Sequence, residues 1–390
     1  MKPLVLILSI LLITGCSFMA PSPAPATEAS LPTATLAPTI TTPTPPSIPT
    51  QTVSPTATQT LEPSATVPPT LAAPVYLKIN EQNSSQVVKQ GSIENPVSRT
   101  VIFSPDSHLL AGSSGNEDNF AVRIWQAGDA QPVRTFDQYS GIVWDIAFSP
   151  DGQRIASAAN DNDHLGVRVW QLSDGQLLQS KSQPDTANSI AYSPDGKILA
   201  VGGLAGWPNG VVYLYDTTSW KPLQVFKAPG QNVIALNFSP DGKKLLAGGT
   251  DGKIREWQVS DGALLKTFFY ATQLKDMALS PDGQILAATY CNKTDASGCI
   301  KGGVVLWNMG DGSILHTFDD IAESLAFSPD GTLLVTGSGA HDPVIRIRDM
   351  KGWTLLNTLN SPAYTLAFSP DGKLIASADM QTIMLWGIKE

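Results

Sequence analysis

From Val101 to the C-terminus, apolar residues alternate with small or polar ones in short runs, and turn-forming residues separate the runs. The stretch Ile142 to Ser149 alternates in this way before Ser149-Pro150-Asp151-Gly152 turns the chain. Proline pre-sets φ at the second turn position, aspartate suits the third, and glycine accepts the left-handed conformation at the end. Ile155 to Ala159 supplies a second run and Asn160 to Gly166 a polar loop. Val167-Arg168-Val169-Trp170 follows as the third run, and Gln176 to Ser180, after Ser173-Asp174-Gly175, as the fourth. Period-two runs divided by such turns predict an antiparallel meander of four strands.

The pattern recurs. Ser-Pro-Asp stands at 104–106, 149–151, 193–195, 239–241, 280–282, 328–330 and 369–371, with successive serines 45, 44, 46, 41, 48 and 41 residues apart. A period of about 40–45 residues with four strands per unit is the signature of a propeller blade. The residue two before each serine is alanine in five of the seven copies, and large aromatics occupy neighbouring positions. That alternation of small and large side chains is a packing pattern. The third runs carry Val122-Arg123-Ile124-Trp125, Ile254-Arg255-Glu256-Trp257, Val304-Val305-Leu306-Trp307 and Ile383-Met384-Leu385-Trp386 among others.

These residues resemble the WD-repeat family of β-propellers, in register over essentially all of 85–390. The resemblance implies an all-β fold: a seven-bladed β-propeller of four-stranded antiparallel blades. Two features depart from the family pattern. The aspartate after the tryptophan is mostly replaced (Gln126, Gln171, Gln258, Asn308, Gly387), and the family's histidine before the innermost strand is absent from every repeat. The buried Asp–His–Ser–Trp network of the family is therefore not expected in full, and apolar packing should carry more of the stability. The last repeat stops at its third strand, Thr382 to Ile388. An uncovered strand edge invites aggregation, so Ser84 to Gln90, which aligns with the fourth strands, is expected to complete the last blade and close the ring.

The N-terminal part reads differently. Lys2, an apolar run from Leu4 to Ile13 and then Thr14-Gly15-Cys16 have the layout of an export signal. The run is too short to cross a membrane, which needs about 20 apolar residues. Ile13-Thr14-Gly15-Cys16 resembles the lipobox of bacterial lipoproteins. That implies a signal peptide over 1–15, cleavage before Cys16, and acylation of Cys16 with diacylglyceryl and palmitate-type chains. The alternative is an ordinary secretory signal with a coincidental cysteine. Residues 16–74 are almost wholly proline, threonine, serine and alanine, with Glu28 and Glu62 the only charges. Such a segment has too little apolar side chain to offset ordering entropy and is expected to be a disordered linker or stalk. Residues 75–390 are then the propeller. The implied location is the outside of the bacterial cytoplasmic membrane, or an outer membrane where one exists.

Charge narrows the partners. Aspartate and glutamate outnumber lysine and arginine by 34 to 25, a net charge of −9, and no basic run occurs. Nucleic acid, whose phosphates require clustered cations, is not an expected partner. Membrane contact is expected through the lipid anchor alone, and the chain is expected to be monomeric. Cys291 and Cys299, closing one small loop in an exported protein, are expected to form a disulfide. No cofactor is expected. Asp161 to Gly166 begins like a calcium loop, but Leu165 occupies a ligand position and no glutamate closes it, so no metal is expected either. The histidines at 108, 164, 316 and 341 fall in different repeats, with no nucleophile elbow, and no catalytic residue is assigned.

Binding is expected where the copies disagree. Loops joining second to third strands (Ser114 to Phe120, Asn160 to Gly166, Leu204 to Gly210, Tyr290 to Gly303, Gly339 to Pro343) vary most, on the face opposite the Ser-Pro-Asp-Gly turns. Register places Arg99, Trp144, Asn188, Ile234, Lys275, Glu323 and Tyr364 around the channel mouth on that loop face. Trp144, Trp207 and Tyr364 are the strongest contact candidates by residue type, although Trp144 and Tyr364 could equally pack between blades. The expected function is a non-catalytic scaffold that binds an unidentified protein or peptide. The alternative is a glycan binder or hydrolase using Asp145, Asp276 and Glu323, of which the two aspartates lie one residue off the inward register. On the lipoprotein reading, Cys16→Ala should release the chain from the membrane fraction, whereas unchanged fractionation of the mutant would contradict lipid anchoring.

Overall fold

The computed structural model describes residues 74–94, 99–114, 120–160, 166–182, 186–206, 209–228, 232–270, 273–295 and 298–390. The leader, Cys16, the stalk up to residue 73, Trp207 and the calcium-like stretch 161–165 lie outside the described residues. The described chain forms seven sheets, each of four antiparallel strands. The inner strands are Val101–Phe103, Val143–Phe148, Thr186–Tyr192, Val233–Phe238, Leu274–Leu279, Ser324–Phe327 and Thr365–Phe368. The seven-bladed propeller expected from the repeat is the fold observed.

The repeated turn explains its own regularity. In all seven copies the serine hydroxyl donates to the aspartate two residues on, at 2.5–2.7 Å. The same serine oxygen accepts the backbone N–H five residues on, at 2.9 Å. The fourth position has positive φ in every copy, held by glycine except at Ser107, which reaches 64°. The turns also touch one another. A Cβ at Gly283 would come 3.0 Å from the ring of Pro240 in the preceding blade. Each turn is therefore both a local cap and a contact between blades.

Apolar clusters fill the seams between adjacent blades. One gathers Ile124 and Phe136 of the first blade with Phe148, Ile155 and Trp170 of the second. Phe136 and Tyr139 lie against the Trp170 ring at centroid distances of 5.0 and 5.4 Å. Burying each such side chain contributes about 1.5–3 kcal/mol. Of the family's polar network, the Trp–Ser end is present in the last blade, where Trp386 Nε1 donates to Ser377 Oγ at 2.9 Å. In the fourth and sixth blades an arginine on the third strand pairs instead with an aspartate of the preceding loop: Arg255 with Asp251 at 2.7 Å and Arg346 with Asp342 at 2.6 Å.

The ring closes as expected, by an N-terminal strand, but four residues later than the alignment suggested. Val88–Glu94 pairs antiparallel with Thr382–Gly387. Ser84–Gln86, expected inside the strand, forms a 3-10 turn instead. The cause is local: Asn83 Oδ1 accepts the Asn80 N–H at 2.8 Å and Asn80 Oδ1 accepts the Gln82 N–H at 2.9 Å, starting a turn that the chain leaves only at Val87. An extra clasp precedes it. Leu77 N–H donates to Ile388 O at 2.8 Å, Ile79 N–H to Gly372 O at 2.9 Å, and Lys78 pairs with Asp330 at 2.8 Å.

The second correction concerns Tyr290 to Gly303, read from sequence as a loop. It is the end of a long hairpin formed by strands Ile285–Asp295 and Gly298–Asn308, and Cys291 and Cys299 are disulfide-bonded across it. Its polar residues extend beyond the blade, where no neighbouring core demands period-two hydrophobicity. The pairing there is carried by backbone hydrogen bonds that the side-chain pattern does not advertise.

The closing register makes an opposed pair of predictions. Ile93 is 6% exposed and Val88 56% exposed. Ile93→Ala should lower unfolding free energy by about 2–4 kcal/mol in urea titration, and Val88→Ala should change it by less than about 0.5 kcal/mol. The reverse order would contradict the register.

Candidate binding site at the channel mouth

The seven inner strands surround a central channel of about 710 Å³, and all seven residues assigned to its mouth line it. How the chain aims them differs between blades. In the second to fifth blades the inner strand slips register between Val143 and Asp145, Ala187 and Ser189, Val233 and Ala235, and Leu274 and Asp276. The residues skipped are Trp144, Asn188, Ile234 and Lys275. A bulge bends the strand and re-aims a side chain, and here it presents four residue types to one opening. Arg99, Glu323 and Tyr364 precede the inner strands of the other three blades.

Several mouth residues are already held. The Arg99 guanidinium lies 4.8 Å from the Trp144 ring centroid, and its burial lowers its pKa. Asn188 Nδ2 donates to Asn232 Oδ1 at 2.6 Å and Asn160 Nδ2 to Asn188 Oδ1 at 3.3 Å, a string of amides across three blades. Ala340 N–H donates to Tyr364 Oη at 3.2 Å, and Cys299 N–H to Glu323 Oε1 at 3.3 Å. His341 and Asp295 meet at 2.8 Å, tying the hairpin end to the loop of the next blade. The disulfide hairpin thus braces the Glu323 side of the rim. Trp144 keeps its indole N–H without a hydrogen-bond partner among the described residues.

One layer deeper, Asp145 and Asp276 join blades. Asp145 Oδ1 accepts the Ile146 N–H and Oδ2 the Ile190 N–H of the next blade, both at 2.9 Å. Asp276 Oδ1 accepts the Met277 N–H at 2.8 Å, and Oδ2 accepts Ser324 Oγ at 2.8 Å and Leu325 N–H at 3.1 Å. Ser324 Oγ in turn accepts Leu366 N–H at 3.1 Å, carrying the connection into the last blade. Removal from bulk water pushes Asp145 up to about 7 and Asp276 up to about 6, against the opposing pull of these donors. Carboxyls tuned near neutrality are also what acid–base catalysis uses, but here every oxygen is engaged by a structural donor. The sequence signal for this layer was an aspartate within an inner strand of mostly small or apolar residues. The interblade bonds themselves had no signal.

The WD40 family model (WD domain, G-beta repeat) matches residues 130–164, 220–258, 312–349 and 353–386. Four segments of the chain thus match the WD40 repeat. Among curated proteins it is 28% identical over 156 residues to the Target of rapamycin complex subunit wat1 of Schizosaccharomyces pombe, covering 39% of this chain and 46% of that protein. It is 31% identical over 169 residues to Actin-interacting protein 1 of Drosophila melanogaster, covering 40% and 27%. An uncharacterized WD repeat-containing protein of Synechocystis is 26% identical over 157 residues, covering 38% and 40%. The matches thus cover less than half the length of each of these relatives.

The carboxyls set a pH dependence. Because Asp145 and Asp276 hold protons in the fold that the unfolded chain releases, their contribution to stability is complete below about pH 4 and is lost as pH rises through about 6 to 7. The serine hydroxyls hold the turn aspartates 106, 151, 195, 241 and 282 below their usual range, so their contribution is lost as pH falls below about 4. Melting temperature should be highest near pH 4, decline between about pH 4 and 7, and level off above that. Asp145→Asn should flatten that decline whatever its absolute stability, and an unchanged slope would contradict the assignment.

Proposed function

We propose that this protein is a non-catalytic scaffold of the bacterial cell envelope, lipid-tethered through Cys16 to the outside of the cytoplasmic membrane or to an outer membrane where one exists, that binds a protein or peptide at its channel mouth. The observation that carries the reading is the contrast between the two faces. One repeats a single turn seven times; the other gathers Arg99, Trp144, Lys275, Glu323 and Tyr364 round one opening. Aromatic and arginine side chains dominate interface energetics, and a rigid ring holds them without ordering cost on binding. The names of two relatives, a complex subunit and an actin-interacting protein, point to assembly with other proteins.

The tether rests on the leader, the lipobox-like Ile13-Thr14-Gly15-Cys16 and the proline- and threonine-rich segment that follows. A disulfide in the rim hairpin accords with an oxidising compartment outside the cytoplasm. Engagement of the Asp145 and Asp276 oxygens by structural donors supports binding over glycoside or ester hydrolysis.

Capture from envelope extracts tests the reading. Trp144→Ala should weaken capture of the partner at least tenfold, while Lys243→Ala on the turn face should leave it unchanged. Equal capture by both variants, or hydrolysis of generic ester, glycoside or peptide substrates by the purified chain, would overturn it.

A further inference from the structure

A second cavity lies on the turn face, at the seam between the fourth and fifth blades, apart from the mouth. The position before the third-strand aromatic, or before Arg348 in the sixth blade, packs into an interblade core. It is Ile124, Val169, Leu214, Leu306, Ile347 and Leu385 in six blades, all buried aliphatics. In the fourth blade it is Glu256, 0% exposed. Opposite it, at the start of the second strand, stands Lys244, whose Nζ lies 3.1 Å from Glu256 Oε1 and whose side chain is 41% exposed. Neither carboxylate oxygen has an aligned hydrogen-bond donor among the described residues. A buried carboxylate in that state is costly, and an aliphatic pair would fill the seam without the cost.

Glu256 lines a cavity of about 260 Å³ with apolar walls from Leu246, Leu279 and Met309 and with Asp241 and Asp282 at its edge. One carboxylate at depth beside aliphatic walls suits neither a divalent cation, which needs several oxygen ligands, nor an anion. It suits an ammonium carried on a hydrocarbon stem. We propose that this seam binds an alkylammonium group, whose N–H donors satisfy Glu256 Oε2 while its stem lies against Leu279 and Met309. Lys244 covers the site and moves toward solvent, or keeps Oε1, when the ligand enters. The group could be a free amine or the lysine side chain of a protein, and the chemistry recognised is the same.

Thermal shift and titration calorimetry on the full chain test this, with n-butylamine hydrochloride as the free-amine probe and Nα-acetyl-lysine N-methylamide as the protein-borne one. Either probe near saturation should raise the melting temperature by about 2 °C beyond sodium chloride at equal ionic strength. A response to n-butylamine alone assigns the site to free amines, and a response to the lysine derivative alone assigns it to a protein side chain; both support the site. Glu256→Gln, nearly isosteric and neutral, and Glu256→Leu, the aliphatic solution of the other seams, should each weaken binding at least tenfold. Two variants keep the test decisive should one fold poorly. No shift beyond sodium chloride in the native chain, or an equal shift in a folded variant, would overturn the proposal.

Discussion

The ring has to close, and the backbone hydrogen bonds between Val88–Glu94 and Thr382–Gly387 close it. A propeller blade buries its faces only against neighbouring blades, so an incomplete last blade would expose both a seam and a strand edge. The chain meets this with two layers. The pairing strand supplies the missing fourth strand, and the segment just before it, from Tyr76 to Ile79, runs beside the C-terminal residues and pins the sixth and seventh blades through Lys78 and buried Ile79. Both ends of the folded chain are committed to the same blade, which leaves the rest of the circumference free to vary in its loops.

The two faces divide the work. On one, the serine and aspartate of each turn make the same bond seven times, and prolines pack onto the next turn, so the spacing of blades is set there. On the other, bulges in four inner strands release single residues from pairing and aim them at the channel. Between the faces, Asp145, Asp276 and Ser324 bond from one inner strand to the next. That middle layer holds the rim residues at fixed separations without contributing side chains to the rim itself.

The sequence carried the blade count, the strand order and the mouth register, because each is repeated: one Ser-Pro-Asp is ambiguous, and seven in register are not. Features that occur once were harder to read. The closing strand was placed four residues early because Val87-Val88 resembles the hydrophobic pair of a fourth strand, whereas a turn built by Asn80 and Asn83 delays the strand and makes Ile93 its buried residue. The disulfide hairpin does not read as strand in the sequence because Asn292, Lys293, Thr294 and Asp295 are polar and exposed, with no alternation to mark the pairing. Glu256 was legible as a departure, a charge where six repeats have aliphatics, but its meaning needed the cavity beside it. Interblade bonds from Asp145 and Asp276 depend on the distance between strands about 45 residues apart, which no local pattern encodes.

Closure makes one cooperative unit of seven blades, and native-state amide hydrogen exchange measures that directly. Amides of Val88–Glu94 that bond to Thr382–Gly387 should exchange only through global unfolding, with the same free energy and denaturant dependence as the inner strands. Exchange of those amides through a local opening of much lower free energy, with the inner strands still protected, would contradict the account.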